Sequence, residues 1–200
     1  MLEATIAMAL TGLTMLAVNQ VLSYMGAAET RMTMTETRDE ALEQIRSLGA
    51  RKSTLEASRA TNPRLNACMN GVNGVAAPGP LNCQVFTWYD VSLAATPTDI
   101  LSGTPSAPKY LNRHGRVCAP TEAALDCPLS IWTRFRTQCK PVMTAVAASM
   151  APPPTCPGSP PEIIEIRYRI GLRTDNPVLS RELARRYSVS ELYGSILVPL

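Results

Sequence analysis

After Glu3 the chain carries no charged residue from Ala4 to Ala28, "ATIAMALTGLTMLAVNQVLSYMGAA", and no proline until Pro63. An uncharged run of 25 residues is long enough to cross a hydrocarbon core as a tilted helix. It predicts the membrane-spanning or assembly half of a helix over residues 1–28, not a helix of a globular core. Secretory signals that are cleaved open on Lys or Arg, whereas here the only charge before Glu29 is Glu3. Gly26, Ala27 and Ala28 still offer the small residues of a cleavage site, which leaves a secreted, unanchored domain as an alternative.

The helix is expected to run on. Glu29, Arg31, Glu36, Arg38, Asp39, Glu40, Glu43 and Arg46 bring charge, while Met34, Ala41, Leu42, Ile45, Leu48 and Leu55 recur at steps of three, four or seven. That spacing puts them on one stripe of an amphipathic half covering 29–62. A continuous rod to residue 60 would be roughly 90 Å long at about 1.5 Å per residue. Gly12, Gly26 and Gly49 are its soft points, each costing up to about 1 kcal/mol relative to alanine. They are equally the small residues that let helices pack closely.

From Pro63 to Leu200 the pattern changes to turns and strands. "NGVNGVAAPGP" is a turn-rich connection, and "QVFTWYDVSL" alternates Val85, Thr87, Tyr89, Val91 and Leu93 with Phe86, Trp88, Asp90 and Ser92. "SIWTRFRTQC" sets Ile131, Thr133, Phe135, Thr137 and Cys139 against Trp132, Arg134, Arg136 and Gln138. "PVMTAVAASM" is read as its continuation, and "APPPTCPGSPP" as a stiff link. "EIIEIRYRIGLR" gives the clearest alternation, Ile164, Ile166, Tyr168 and Ile170 against Glu165, Arg167 and Arg169. After a turn at Asn176-Pro177, residues 185–192 are expected to return antiparallel. The fold class is therefore α+β: a long N-terminal helix packed on a small antiparallel sheet, with disulfide-closed loops.

The disulfides follow from the six cysteines, Cys68, Cys83, Cys118, Cys127, Cys139 and Cys156, an even number confined to the chain beyond the apolar run. That distribution points to an oxidising compartment. Nearest-neighbour pairing, Cys68–Cys83, Cys118–Cys127 and Cys139–Cys156, is the simplest of fifteen connectivities. No two cysteines stand at the short spacing of a zinc site and the single histidine is His114, so no metal or other cofactor is expected, with calcium in the distal loops left open.

Glu3 raises a separate question. A carboxylate in the first helical turn gains about 0.3–1 kcal/mol from the exposed amides there. One that enters a bilayer edge or a helical bundle needs a cation, and the chain has none before Arg31. The partner must come from elsewhere, and the amino terminus of another copy suffices.

"LEATIAMALTGLTMLAV" resembles the start of type IV pilins and the pseudopilins of type II secretion, closely over about 25 residues and beyond that in layout. The resemblance implies a basic leader removed by a prepilin peptidase, a methylated amine and a glutamate fifth in the product. Glu3 takes that role by resemblance, pairing with the terminal amine of the adjoining subunit and setting axial register. Because the glutamate is third here, a reading frame that starts earlier is expected. The frequent mid-helix proline of the family is absent. Residence in the bacterial inner membrane with a periplasmic domain, then in a periplasmic or surface filament among other pilin subunits, is what the resemblance implies. Proline-rich insertions and three disulfides suit a minor pilin or pseudopilin better than a shaft subunit.

The residues also bear on other function classes. A formal net charge of +3 does not by itself argue for nucleic acid. From 109 to 140, however, six basic residues, Lys109, Arg113, Arg116, Arg134, Arg136 and Lys140, stand against two acidic ones, Glu122 and Asp126. They are the candidate anion-binding set of an adhesin or DNA-uptake subunit, with Trp88, Trp132 and Phe135 available for stacking. A periplasmic domain unrelated to pili is a further alternative. No catalytic residues are expected: the chain lacks a nucleophile-elbow serine, a paired-histidine motif and a phosphate-cradling glycine loop, and Glu162 and Glu165 fall on opposite faces of a strand.

Overall fold

The apolar start and its charged continuation form one helix, α1 (Leu2–Gly49), of 48 residues. The computed structural model describes residues 2–70, 83–84, 86–96, 99–119, 121–123, 125–138, 161–174 and 177–200, the side chains of 2–7, 9 and 177 excepted. The expected extension to residue 60 does not occur. At Gly49, the poorest helix former of the region, the chain stops, and Arg51 takes an extended conformation. The Leu48 carbonyl left open accepts from the Arg51 N–H (3.0 Å) and from Thr54 Oγ1 (2.6 Å). A separate helix α2 (Lys52–Arg59) then buries Thr54, Leu55 and Ser58. Helix α3 (Pro63–Met69) follows, with Pro63 in its first turn and the Asn62 side chain capping the Leu65 N–H at 2.8 Å.

The main sheet contains β1 (Tyr89–Val91), β4 (Lys109–Leu111), β5 (Leu129–Gln138), β6 (Ile163–Leu172) and β7 (Leu192–Pro199), with every pairing antiparallel. β5 and β6 pair through ten residues, from Leu129↔Leu172 to Gln138↔Ile163, and β7 lies on the far side of β6. β1 and β4 share the other edge of β5 end to end, opposite Thr133–Phe135 and Leu129–Ile131. Between them Gly103 bridges to Trp132, where a Cβ would fall 2.2 Å from the Ala107 oxygen, so only glycine fits. The hairpin β2 (Ala94–Thr96) and β3 (Asp99–Ile100) forms a second small sheet.

Between β1 and β5 the described residues hold three short strands, β2, β3 and β4. The segment is stitched by buried hydroxyls: Ser58 Oγ accepts from the Ala94 N–H, Ser102 Oγ from the Leu93 N–H, and Ser102 Oγ meets Thr133 Oγ1 at 2.6 Å. Each is buried and fully engaged, as such groups must be. The strand expected over 84–93 is only Tyr89–Val91 long, because Phe86 adopts a positive φ of 65° in a turn at its start; Val85 lies outside the described residues. The strand expected over 185–192 does not form there: 185–187 close helix α4 (Pro177–Tyr187), which sets Leu179, Leu183 and Tyr187 on one side at four-residue steps, and the antiparallel strand begins only at Leu192, as β7.

Two clusters make the core. Met34, Ala41 and Ile45 of α1 pack with Leu111, Leu129, Ile131, Tyr168 and Ile170 of the sheet and with Leu183 and Tyr187 of α4. Leu55 and Leu65 pack with Tyr89, Val91, Phe135, Ile164, Ile166 and Val198, and Ile196 touches both clusters. The inward and outward faces of β5 and β6 are those the alternation predicts. The molecule is α+β, with a long N-terminal helix and antiparallel sheets.

Two disulfides are present among the described residues, Cys68–Cys83 and Cys118–Cys127. The third expected pair, Cys139 and Cys156, lies outside them, as do Lys140, most of "NGVNGVAAPGP", "PVMTAVAASM" and most of "APPPTCPGSPP".

Candidate functional site

The most unusual surface belongs to α1. Residues 10–29 are exposed without exception, and burial begins only at Thr30 and Met34. Leu10, Leu13, Met15, Leu16, Val18, Val21, Leu22 and Met25 are each more than half exposed, a large apolar surface projecting from the domain. Monomeric soluble proteins rarely present such a patch without a partner. Residues 2–29 span about 42 Å at about 1.5 Å per residue.

The polar residues of this region turn inward onto the helix itself. Thr14 Oγ1 donates to the Leu10 and Thr11 carbonyls, Ser23 Oγ to Gln20, Thr30 Oγ1 to Gly26 and Thr33 Oγ1 to Glu29, at 2.8–3.1 Å. A hydroxyl so engaged brings its hydrogen bond with it into a nonaqueous setting. Among the described residues, nevertheless, no helix is long and apolar enough to cross a membrane. The membrane-spanning expectation for 1–28 is not supported by that measure, since Thr11, Thr14, Asn19, Gln20 and Ser23 dilute the apolar run. Glu3 lies in the first turn of α1, at the far tip of the projection.

A second surface is the face of the sheet turned away from α1. Arg134 donates to Asp90 (2.8 Å) and lies 5.7 Å over Trp132, while Arg136 donates to Glu165 (2.6 Å). The Trp88 ring is flanked by Arg136 at 4.6 Å and Arg167 at 4.8 Å, both within cation–π range. Arg169, buried, is bonded by Glu191 and by Tyr193 Oη at 3.1 Å. Burial works against both charges of that pair, yet their mutual hydrogen bonds win: the Glu191 carboxyl is held below its ordinary range and the Arg169 guanidinium above its own. Three of the four arginines on this face are thus answered by carboxylates.

The structure does not gather the expected anion-binding set on one surface. Arg134 and Arg136 lie on the outward face of β5. Lys109 sits on β4 with its ammonium against the Ile100 carbonyl, and burial lowers its pKa. Arg113 and Arg116 belong to a turn beside α1, closed on Asn112 Oδ1 and tied to the helix by Thr37 Oγ1 donating to the Arg113 carbonyl at 2.8 Å. Arg167, Arg169, Glu191 and Tyr193, which complete the outward ladder, were not singled out from sequence. Their signal in the sequence is the alternation of Glu165, Arg167 and Arg169 along β6, which reads only as a strand pattern.

A groove of about 450 Å³ is lined by Asp99, Ile100, Pro108, Lys109, Tyr110 and Val117. At its margin the Cys118–Cys127 loop holds a carboxylate: Glu122 Oε2 is 3.3 Å from Cys127 Sγ, and Oε1 accepts from the Ala119 N–H at 2.9 Å. The donor atoms of Cys118, Glu122 and Cys127 all lie within 4.8 Å of one another. Compared with known proteins, the chain matches no family model, no curated protein and no solved structure at a significant level.

Proposed function

We propose that the chain is a structural subunit of a type IV pilus-like filament, a minor pilin or pseudopilin, that assembles through the projecting half of α1. The observation that carries this reading is a helix rooted by its charged half in an α+β domain while residues 10–28, uncharged and predominantly apolar, stand exposed. Such a rod reaches a favourable environment only in a bundle of like helices or in lipid. Burial of its apolar surface at about 25 cal/mol per Å² supplies the driving force once water is the alternative. The self-bonded threonines and serines suit it to either setting. In the proposed cycle the inner membrane holds the helix first, which requires the Ala4–Ala7 stretch as well, and a prepilin peptidase prepares the amino terminus. Glu3 then meets the terminal amine of the neighbouring subunit, setting register. The reading is non-enzymatic.

The test is incorporation of Glu3→Ala and Glu3→Gln variants into sheared filaments. Both are expected to leave the sheet domain and its disulfides unchanged while reducing incorporation at least tenfold. Equal incorporation of both variants would remove Glu3 from the account. A native mature chain that begins near Glu29, read by intact mass spectrometry, would remove the filament reading altogether. The anion-binding alternative has less support, since three of the outward arginines are already paired; its sign would be affinity for DNA that falls steeply with salt.

A further inference from the structure

We infer that the Cys118–Cys127 loop is a redox-gated metal site: with the disulfide reduced, Cys118, Cys127 and Glu122 bind a divalent zinc-class cation. The inference is independent of the filament reading. Its first ground is the position of Glu122. A carboxylate gains little from lying beside a disulfide, yet Oε2 is 3.3 Å from Cys127 Sγ in a pocket where Cys127 is buried and Cys118 nearly so. Two sulfurs and one carboxylate oxygen within 4.8 Å are a donor set that zinc accepts, with one position left to solvent.

The second ground is the support around the carboxylate. The Ala119 N–H holds Oε1 at 2.9 Å, the Ala119 carbonyl accepts from the Glu122 N–H at 3.0 Å, and together they fix the turn that aims Oε2 at the sulfurs. Orienting hydrogen bonds of this kind are what a ligating carboxylate requires from its surroundings. The third ground is charge. Zn²⁺ with two thiolates and one carboxylate carries a net −1, and the Arg116 guanidinium, 3.6 Å from Glu122 Oε2, offsets it. The absence of a short Cys-x-x-Cys spacing, which argued against zinc in the sequence, is answered by a nine-residue separation that the loop folds back on itself.

The steps balance. A dithiol reductant transfers two electrons and two protons to the Cys118–Cys127 bond and is itself oxidised to a disulfide. The metal then displaces both thiol protons to solvent. Oxidation by a disulfide donor reverses the sequence and releases the cation, so the loop is closed covalently in one state and by coordination in the other.

The experiment uses the full chain, reduced anaerobically and titrated with Co²⁺ as the spectroscopic stand-in for zinc. The expected result is one equivalent with thiolate-to-cobalt charge transfer, absent from the oxidised protein and from Cys118→Ser and Cys127→Ser. Glu122→Gln, which keeps both sulfurs, is expected to weaken binding at least tenfold. The absence of charge transfer in the reduced wild type would overturn the proposal. So would an undiminished band in both serine variants, which would place the metal on the other cysteines, or equal affinity in Glu122→Gln, which would remove the carboxylate from the donor set.

Discussion

The two halves of α1 invert the usual relation between composition and burial. The half without charges, residues 10–28, is the one exposed, whereas the half carrying Glu29 to Arg46 supplies Met34, Ala41 and Ile45 to the core. A stripe three or four residues apart suffices to bury a helix against one sheet, and charges on the remaining faces keep it there. A helix apolar all round has no preferred face toward its own domain and is left for a partner that surrounds it. Periodicity, rather than hydrophobic content, decides which half folds with the domain.

That contrast is most exposed to test in the core half. Ile45→Ala is expected to cost about 2–5 kcal/mol in urea unfolding followed by tryptophan fluorescence, while Leu13→Ala in the projecting half is expected to change the same measurement by less than about 0.5 kcal/mol. Comparable losses at both positions would mean that the projecting half is folded into the domain. Next in size, removing Cys68–Cys83 with paired alanines is expected to cost about 3 kcal/mol, since its sequence separation is 15. That loss should be seen in the domain and not in the helicity of 8–28.

Glycine sharpens the same division. At Gly12 and Gly26 a methyl group would meet nothing within 4 Å, so Gly12→Ala and Gly26→Ala are each expected to stabilise the helix by up to about 1 kcal/mol, read as a rise in thermal helicity. At Gly194 a Cβ would fall 2.2 Å from Tyr168 Oη, and the same substitution is expected to destabilise the domain. The smallest effect is a pH dependence confined to the sheet end. Glu191 has a depressed folded pKa, so its contribution is complete above the ordinary carboxylate value of about 4.3 and is lost as pH falls through the folded value. Glu191→Gln is therefore expected to flatten the acid limb of the stability profile while leaving α1 helicity unchanged.

What the sequence disclosed was whatever local periodicity encodes. The α1 stripe, the two faces of β5 and β6 and the near-neighbour cysteine pairs at 68–83 and 118–127 were all legible. The stop at Gly49 was not, because it depends on a Leu48 carbonyl accepting from Thr54 and on close approach of Ile196 Cδ1, which would stand 3.3 Å from a Cβ. Helix α4 carried a readable signal, Pro177 followed by Leu179, Leu183 and Tyr187, but the Asn176-Pro177 pair drew the reading toward a hairpin. β2 is tied through the Ala94 N–H to Ser58 Oγ, and the adjoining Leu93 N–H to Ser102 Oγ, which meets Thr133 Oγ1, while β4 is held by pairing with β5 some twenty residues on; such distant partners leave no local pattern. The candidate assembly surface was legible as an apolar run; the Glu122 contact with Cys127 was not, since it exists only once the loop has closed.

The pairing of the main sheet also has a temporal consequence. Lys109 finds Ile131, Tyr89 finds Phe135, Leu129 finds Leu172 and Ile163 finds Pro199. Unlike the β2–β3 hairpin, no two neighbouring strands of the main sheet are joined by a tight turn among the described residues, so each of its ladders must close a long loop before it is rewarded. Chains dominated by such distant pairings fold in about milliseconds to seconds, whereas a helix forms in about a microsecond. The helix of α1 can therefore form long before the sheet of the domain it carries has closed.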